Sequence, residues 1–176
     1  MIEELKKIER EMLEDLLNNG NWNSLNIDYH PPHVERVWIQ LGENRLSLHV
    51  MHPCKKGESL WHNHAWKTAF HILPIGGAYE QGIGLGVKGD MMFGEEFAFK
   101  PMMEMIAYDE LYYEMTDKNC AHYVRPINDP VYTIMLSGKV DWPENKMKPT
   151  HDLQPLSPER VIEIKNIFKE NMYKTP

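Results

Sequence analysis

The sequence has little of what would mark it as a secreted or membrane protein. Its 176 residues include two cysteines, Cys54 and Cys120. Two are too few for a disulfide scaffold, and a reducing compartment is the simpler setting. No apolar run approaches the ~20 residues that a membrane span needs. The N-terminal segment alternates charged with apolar residues and lacks the apolar core of a signal peptide. We therefore expect a cytoplasmic protein without a membrane partner.

Clustered positive charge is also scarce. The formal net charge is −7, and the lysines and arginines are scattered apart from short pairs such as Lys6-Lys7. Nucleic acids and anionic membranes are bound by clustered positive charge, so neither is expected as a partner. The expected partner is a small-molecule substrate, and a homodimer stays open. A chain of this length fits one domain, 1–176, and can bury a sizeable core.

Two segments, one near each end of the chain, have helical periodicity. Apolar residues recur at helical spacing from Ile2 to Leu17, ahead of the stop signal Asn18-Asn19-Gly20. Near the other end, Ser157 suits an N-cap and Pro158 suits the first helical position. We predict helical extensions over residues 2–18 and 158–173 that pack on the domain.

The region between these helices reads as β-structure. From Val34 to about Ser137, short runs rich in β-branched and aromatic residues alternate with Gly, Asn, Asp and Pro. Many short strands with turn signals are typical of an antiparallel sandwich or barrel. The sequence therefore predicts a mainly β fold of two packed antiparallel sheets, with its core at about residues 34–140.

Three histidines give the clearest chemical signal. His62 and His64 stand in an HxH pattern, and alternate residues of a strand share one face. Both imidazoles could then reach one metal ion. His122, in the run NCAHYV, is the best candidate for a third ligand from a neighbouring strand. The alternative is that all three are core or surface residues without a metal.

Two motifs resemble those of the cupin superfamily. The segment from Gly57 to Gly76 is similar to the first cupin motif: a glycine, HxH, a short turn, a strand and another glycine. Asn119-Cys-Ala-His122 is similar to the second motif, with Asn119 in place of its glycine. Asparagine is one of the few non-glycine residues that tolerate a left-handed backbone. The resemblance covers roughly residues 34–140 and implies a jelly-roll β-barrel that binds a divalent metal ion inside.

One departure from the cupin pattern is informative. Most metal-binding cupins supply a glutamate shortly after HxH, a position that here falls on Ala69 or, with a slipped register, on Phe70. The site therefore resembles the three-histidine variant of thiol dioxygenases. Three neutral imidazoles leave the full +2 charge on the ion, which favours anionic chelating substrates. Fe(II) is favoured, while Zn, Ni, Mn and Cu stay open because imidazole suits several metals.

These features lead to one hypothesis and two alternatives for function. The leading hypothesis is a non-haem Fe(II) small-molecule dioxygenase that acts on an anionic chelating substrate. One alternative is a zinc-dependent hydrolase or lyase, because three histidines and a water are also the ligands of zinc in carbonic anhydrase. The other is a non-catalytic cupin that senses or binds a small ligand.

A fourth histidine lies close to the motif. His71 shares strand parity with Ala69, so an unbroken strand would point it inward, one step beyond the missing glutamate. We predict that His71 lies near the metal without ligating it and acts as a catalytic base, since its ordinary pKa of ~6.5 suits proton transfer. The alternatives are a fourth metal ligand, a hydrogen-bonding partner of a ligand, and a hydrogen-bonded core histidine.

Other polar residues are left without an assigned role. Arg125 matches carboxylates in chemistry, but strand parity with His122 points it outward. Arg45 and His49 share one face of their strand, and the sequence does not decide which face is interior. Packing or solvation is the default role of Glu80 and Cys120.

Overall fold

The computed structural model describes residues 1–86, 99–107 and 109–173. The helices are α1 (Ile2–Glu11), α2 (Leu13–Asn19) and α3 (Pro158–Met172), with a 3₁₀ turn at Pro143–Asn145. The strands are β1 (Asn23–Ile27), β2 (Val34–Leu41), β3 (Asn44–Met51), β4 (His62–Asn63), β5 (Trp66–Gly76), β6 (Tyr79–Gly86), β7 (Phe99–Ala107), β8 (Leu111–Met115), β9 (Cys120–Pro126) and β10 (Val131–Val140). None of the helices in these ranges has the length and apolarity that crossing a membrane requires.

The strands form two antiparallel sheets with jelly-roll order. One sheet has the order β1-β2-β3-β10-β5-β8, and the other has the order β4-β9-β6-β7. The last eight strands pair as nested hairpins, β3 with β10, β4 with β9, β5 with β8 and β6 with β7. A long hairpin folded over itself in this way is a jelly roll. The predicted mainly β, antiparallel fold with helices near both ends is confirmed.

The predicted first helix is divided in two. Met12 leaves the helical conformation, with φ −130° and ψ −30°, and separates α1 from α2. The apolar stripe continues through the break, since Leu5 and Leu13 are both fully buried. The two halves pack against different neighbours, α1 against β5 and β8, and α2 against α3. The break lets the apolar residues of α1 face the sheet and those of α2 face α3.

The helices cover the outer face of the six-stranded sheet. Leu46, Leu48 and Val50 of β3 belong to the same buried cluster as residues of α1, α2 and α3. Because side chains alternate along a strand, Arg45 and His49 point into the jelly roll. The more apolar face of β3 therefore lies outside, under the helices, and its more polar face lines the interior.

The last helix begins where the sequence indicates. The Ser157 hydroxyl accepts a hydrogen bond from Arg160 N at 3.2 Å, and Pro158 occupies the first turn. Arg160 donates two hydrogen bonds, of 2.6 and 2.7 Å, to the carboxylate of Glu35 on β2. Ile164 and Phe168 are fully buried against the sheet. A cap, an ion pair and an apolar stripe thus fix α3 on the domain.

Candidate metal centre

The three histidines of the HxH and NCAHYV runs come together at one end of the four-stranded sheet. His62 lies directly opposite His122 in the β4–β9 register. His64 follows the end of β4, and the chain turns there before β5 begins at Trp66. The Ala65 carbonyl accepts hydrogen bonds from the backbone N–H groups of residues 141 and 142, at 3.0 and 2.8 Å, and so holds this turn. His64 therefore lies just past the end of β4, whereas strand alternation over HxH placed it on the same strand as His62.

The Nε2 atoms of the cluster converge. His64 Nε2 lies 2.9 Å from His122 Nε2, which lies 3.1 Å from His62 Nε2. One ligand atom from each of the three lies within 4.8 Å of the others, a spacing that could hold a metal ion. Two nitrogens bonded to one metal at about 2.1 Å and at right angles would be about 3.0 Å apart. The donor set therefore fits a shared ion.

Neighbouring groups fix the orientation of two of the rings. His62 Nδ1 lies 3.1 Å from the Leu60 carbonyl, which can only accept, so Nδ1 carries the proton and Nε2 has the lone pair. His122 Nδ1 lies 2.9 Å from the Tyr113 hydroxyl. That hydroxyl can accept from Nδ1–H, which again leaves the His122 Nε2 lone pair for a metal.

The protonation state of the cluster suits metal binding. Burial lowers the pKa of His62 to about 4, and the pKa values of His64 and His122 are also well below the ordinary range because of burial. Neighbouring imidazoles lower the pKa values of His64 and His122 further. All three rings are neutral near pH 7, which is the state that ligates metals.

Phe70 takes the place at which cupins carry a glutamate. Its ring centroid lies 5.5 Å from that of His64 and 5.0 Å from that of His122, and it stacks on Tyr113 at 4.8 Å. Ala69 instead belongs to the buried cluster under the helices. Phe70, and not Ala69, therefore points toward the histidines. The turn after β4 shifts by one residue which positions of β5 face the interior.

The inward placement predicted for His71 is wrong. The same change of parity turns His71 toward the helices, on the opposite face from Phe70. Its Nδ1 lies 2.8 Å from Glu9 of α1 and its Nε2 lies 2.7 Å from Glu110, while its ring stacks on Tyr112 at 3.9 Å. The structure gives His71 contacts on the helix side of the sheet, and the predicted role as a catalytic base has no support from this geometry.

The other candidates from the sequence lie apart from the cluster. Arg125 donates two hydrogen bonds to Glu80, at 2.6 and 3.0 Å, and Glu80 also accepts from Tyr123 at 2.7 Å. This network lies on the outer face of the four-stranded sheet, as strand parity predicts for Arg125. Cys120 is a half-buried free thiol, and Cys54 is also free. No non-glycine residue in the described ranges has a positive φ, so the left-handed backbone expected at Asn119 is absent.

A cavity of about 300 Å³ opens beside the histidines inside the jelly roll. Its wall combines the three histidines with apolar side chains and a few other polar groups. The lining residues are Leu25, Ile27, Tyr29, His30, Pro32, Val34, Arg36, Arg45, His49, Met51, Ser59, His62, Asn63, His64, Ala65, Trp66, Phe70, His122, Val124, Met135, Asn145, Lys146, Met147, Pro149 and Leu153. A small molecule in this cavity would contact the three histidines directly.

Sequence reasoning missed several residues of the site. Arg36 lies next to His49 across the β2–β3 register and lines the cavity. Asn145, in the segment after β10, donates to the His64 carbonyl at 3.1 Å and to the Lys118 carbonyl at 2.8 Å. Strand alternation shows which residues share a face with Arg36. It does not show that this face is the interior one until the position of the helices is known. Nothing in the sequence indicated the return of Asn145 to the site.

Comparisons with known proteins give distant structural likenesses. No protein-family model and no curated protein matches the sequence. An Fe(II) form of HppE has a TM-score of 0.45 and 10% identity, over 65% of this chain and 54% of that one. The hydroxypropylphosphonic acid epoxidase of S. wedmorenis has a TM-score of 0.45 and 9% identity, over 65% and 55%. The protein VPA0057 of Vibrio parahaemolyticus, of unknown function, has a TM-score of 0.36 and 10% identity, over 59% and 85%. This chain thus spans about half the length of the first two. Likenesses this distant carry no argument about activity, and the jelly-roll assignment rests on the strand pairing.

Proposed function

We propose that this chain is a metal-binding cupin and a non-haem Fe(II) dioxygenase that acts on a small anionic chelating substrate. The observation that carries the proposal is the convergence of the His62, His64 and His122 Nε2 atoms on the wall of a cavity inside the jelly roll. These histidines would hold the metal. Bound Fe(II) would supply the redox chemistry that lets dioxygen react, while the substrate would provide the electrons and take up both oxygen atoms.

The donor set accommodates both iron and zinc, because imidazole ligates either metal. Two of the Nε2 separations are 2.9 and 3.1 Å, and metal analysis separates the two ions.

The charge of the ligand set supports an anionic substrate. Three neutral imidazoles contribute no negative charge, and no Asp or Glu is among the cavity-lining residues that the structure describes. A divalent ion would therefore keep its whole charge in a partly apolar cavity, where electrostatic attraction is stronger than in water. A thiolate, carboxylate or enolate would be drawn to it.

The protein groups around the site have separate tasks. The Leu60 carbonyl and the Tyr113 hydroxyl hold the ligand imidazoles by their Nδ1 atoms. Phe70 and Trp66 line the wall and place aromatic surface beside the histidines. The chain thus would supply position and a partly apolar wall, and the metal would supply the redox chemistry.

Metal analysis combined with oxygen uptake tests this function. Protein purified without chelators should contain iron, and the Fe(II)-loaded form should consume dioxygen when an anionic chelator is added. Thiol carboxylates such as cysteine are the first compounds to try, because of the resemblance to thiol dioxygenases. A zinc-loaded sample should stay inactive. Zinc as the resident metal together with hydrolytic activity, or a protein that binds no metal, would contradict the proposal.

A further inference from the structure

The charges of the cavity wall run against those of the whole molecule. The chain has a formal net charge of −7. In the described part of the chain, the residues that line the cavity nevertheless include Arg36, Arg45 and Lys146 and no carboxylate. Arginines inside a protein are ordinarily paired with an acidic group, because an unpaired buried charge is costly. This cavity therefore has an excess of positive charge that calls for an explanation.

Arg36 is held in place by the inner face of the six-stranded sheet. Its Nε donates to His49 Nε2 at 2.8 Å, and His49 Nδ1 lies 3.1 Å from the Thr133 hydroxyl. Because arginine can only donate, His49 must be neutral with its proton on Nδ1. The pKa of His49 is well below its ordinary value because of burial and the charge of Arg36. The neutral imidazole orients the guanidinium without neutralising its charge.

Arg45 is held by aromatic rings. Its guanidinium carbon lies 5.3 Å from the ring centroid of Trp38 and 5.1 Å from that of Trp66. Rings at this distance attract the cation but do not use up its N–H donors. Arg36 and Arg45 line the same cavity, and burial together with the charge of Arg45 lowers the pKa of Arg36 to about 10.

Several buried polar atoms around Arg45 have no hydrogen-bond partner in the described part of the chain. They are Arg45 Nε, Ser47 Oγ, Thr68 Oγ1 and Trp66 Nε1. Arg45, Ser137 and Thr68 occupy one row across β3, β10 and β5, so they face the same interior space. Buried polar groups are nearly always hydrogen-bonded, so such a set indicates a bound polar molecule or water.

From these contacts we infer a second anchor in the cavity, in which Arg36 and Arg45 bind an oxyanion group of the substrate. The substrate is then a small molecule with two anionic ends, one at the histidine cluster and the other at the arginines. The inference rests on the proposed function only for the end of the substrate that binds at the histidines.

The geometry and charge of the anchor favour a doubly charged oxyanion. Two guanidinium groups supply a charge of +2 and parallel N–H donors that match phosphoryl, phosphonyl or carboxylate oxygens. A phosphonate or phosphate group balances both charges, whereas a single carboxylate balances one. We therefore expect the anchor to bind a phosphonate or phosphate more tightly than a carboxylate of the same size.

Calorimetric titration of anion probes tests the anchor. Methylphosphonate and acetate would be titrated into the protein as purified and after removal of metal. Both forms of the protein should bind methylphosphonate at least tenfold more tightly than acetate. Arg36→Met and Arg45→Met should each weaken methylphosphonate binding by tenfold or more, and the lysine variants at these positions should weaken it less. Arg10→Met, which removes an exposed arginine of α1, is the matched control and should change nothing.

The outcomes separate this inference from the proposed function. Binding of methylphosphonate that survives both methionine variants, or that disappears when the metal alone is removed, would overturn the anchor. An absence of binding in the metal-free wild type would overturn it as well. The metal content of each arginine variant should equal that of the wild type. A protein that binds no metal would contradict the proposed function. The affinity for methylphosphonate could still be measured in that protein and would still test the anchor.

Discussion

Tyr113 lies behind His122, and its contact decides what the ring can do. The hydroxyl is 2.9 Å from His122 Nδ1. Burial raises the pKa of Tyr113 well above its ordinary value, so the phenol stays protonated at all moderate pH values. A neutral phenol that accepts from Nδ1–H keeps the other ring nitrogen, Nε2, free to bind a metal.

Tyr113→Phe should weaken metal binding and leave the fold intact. The change removes the hydrogen bond to His122 Nδ1 and keeps the ring that stacks on Phe70. Loss of such a partner lowers metal affinity by about 10–100-fold in known sites. Competition with a chromogenic chelator would measure the affinity. Tyr112→Phe makes the same chemical change at the neighbouring residue, where the hydroxyl donates to Glu9, and should leave the affinity unchanged. Equal affinity in the Tyr113 variant would show that this hydroxyl has no role in metal binding.

At the scale of single residues, the sequence predicted the grouping of the three histidines better than their surroundings. His62, His64 and His122 could be grouped because a short motif and strand alternation both point to one face. His71 was misplaced because one turn, at His64 and Ala65, reverses the parity of everything that follows on β5. That turn is held by the backbone N–H groups of residues 141 and 142, just after β10. No local sequence pattern predicts this contact.

Among the helices and strands, α1 is attached to the sheet through a buried polar contact. Glu9 of α1 is 5% exposed, and one of its oxygens lies 2.8 Å from His71 Nδ1. The other oxygen accepts from the Tyr112 hydroxyl at 2.7 Å. Removing one partner of a buried pair leaves the other without compensation, which costs far more than the pair contributes.

His71→Ala should therefore destabilise the fold and leave metal binding unchanged. We expect a loss of about 1.5–3 kcal/mol in the free energy of unfolding, the usual contribution of a hydrogen bond to a charged group. Urea denaturation would measure it, and elemental analysis would show that the metal content equals that of the wild type. His151→Ala, which removes a half-exposed histidine paired with Asp28, is the control and should change stability little. A loss of metal from His71→Ala would contradict the placement of this residue outside the site.

The attachment of α3 depends on an acidic group. Burial alone would raise the pKa of Glu35, but hydrogen bonds from Arg160 and His52 outweigh burial and leave it below its ordinary value of 4.5. A carboxyl whose pKa is lower in the folded state stabilises the fold above its unfolded pKa. This stabilisation is lost as the pH falls through the lower, folded value.

Glu35→Gln should make stability less dependent on acid pH. At neutral pH the variant should lose about 1.5–3 kcal/mol, the usual contribution of hydrogen bonds to a charged group. Below pH 4.5 the wild type should lose stability more steeply than the variant. Urea denaturation over a series of acidic pH values would compare the slopes. Glu163→Gln removes an exposed partner of the same arginine and should keep the steep slope of the wild type. Parallel curves for the wild type and Glu35→Gln would rule out this role for Glu35.

In the molecule as a whole, the helices decide which side of the sheet is the interior of the jelly roll. They cover the face of β3 that holds Leu46, Leu48 and Val50, and they leave Arg45 and His49 for the cavity. Strand alternation predicts which residues of β3 share a face. It does not predict which of the two faces the helices cover. The architecture was predictable because periodicity and turn signals are local. The excess positive charge of the cavity was not predictable, because it depends on which face is enclosed.

The metal content of a series of histidine variants tests the central claim most directly. The wild type, purified without chelators, should hold about one transition-metal ion per chain. His62→Ala, His64→Ala and His122→Ala should each lose most of it, while His71→Ala and His151→Ala keep it. Circular dichroism would confirm that each variant is folded. Full metal content in any of the first three variants, or an equal loss in His71→Ala, would contradict a metal centre built from His62, His64 and His122.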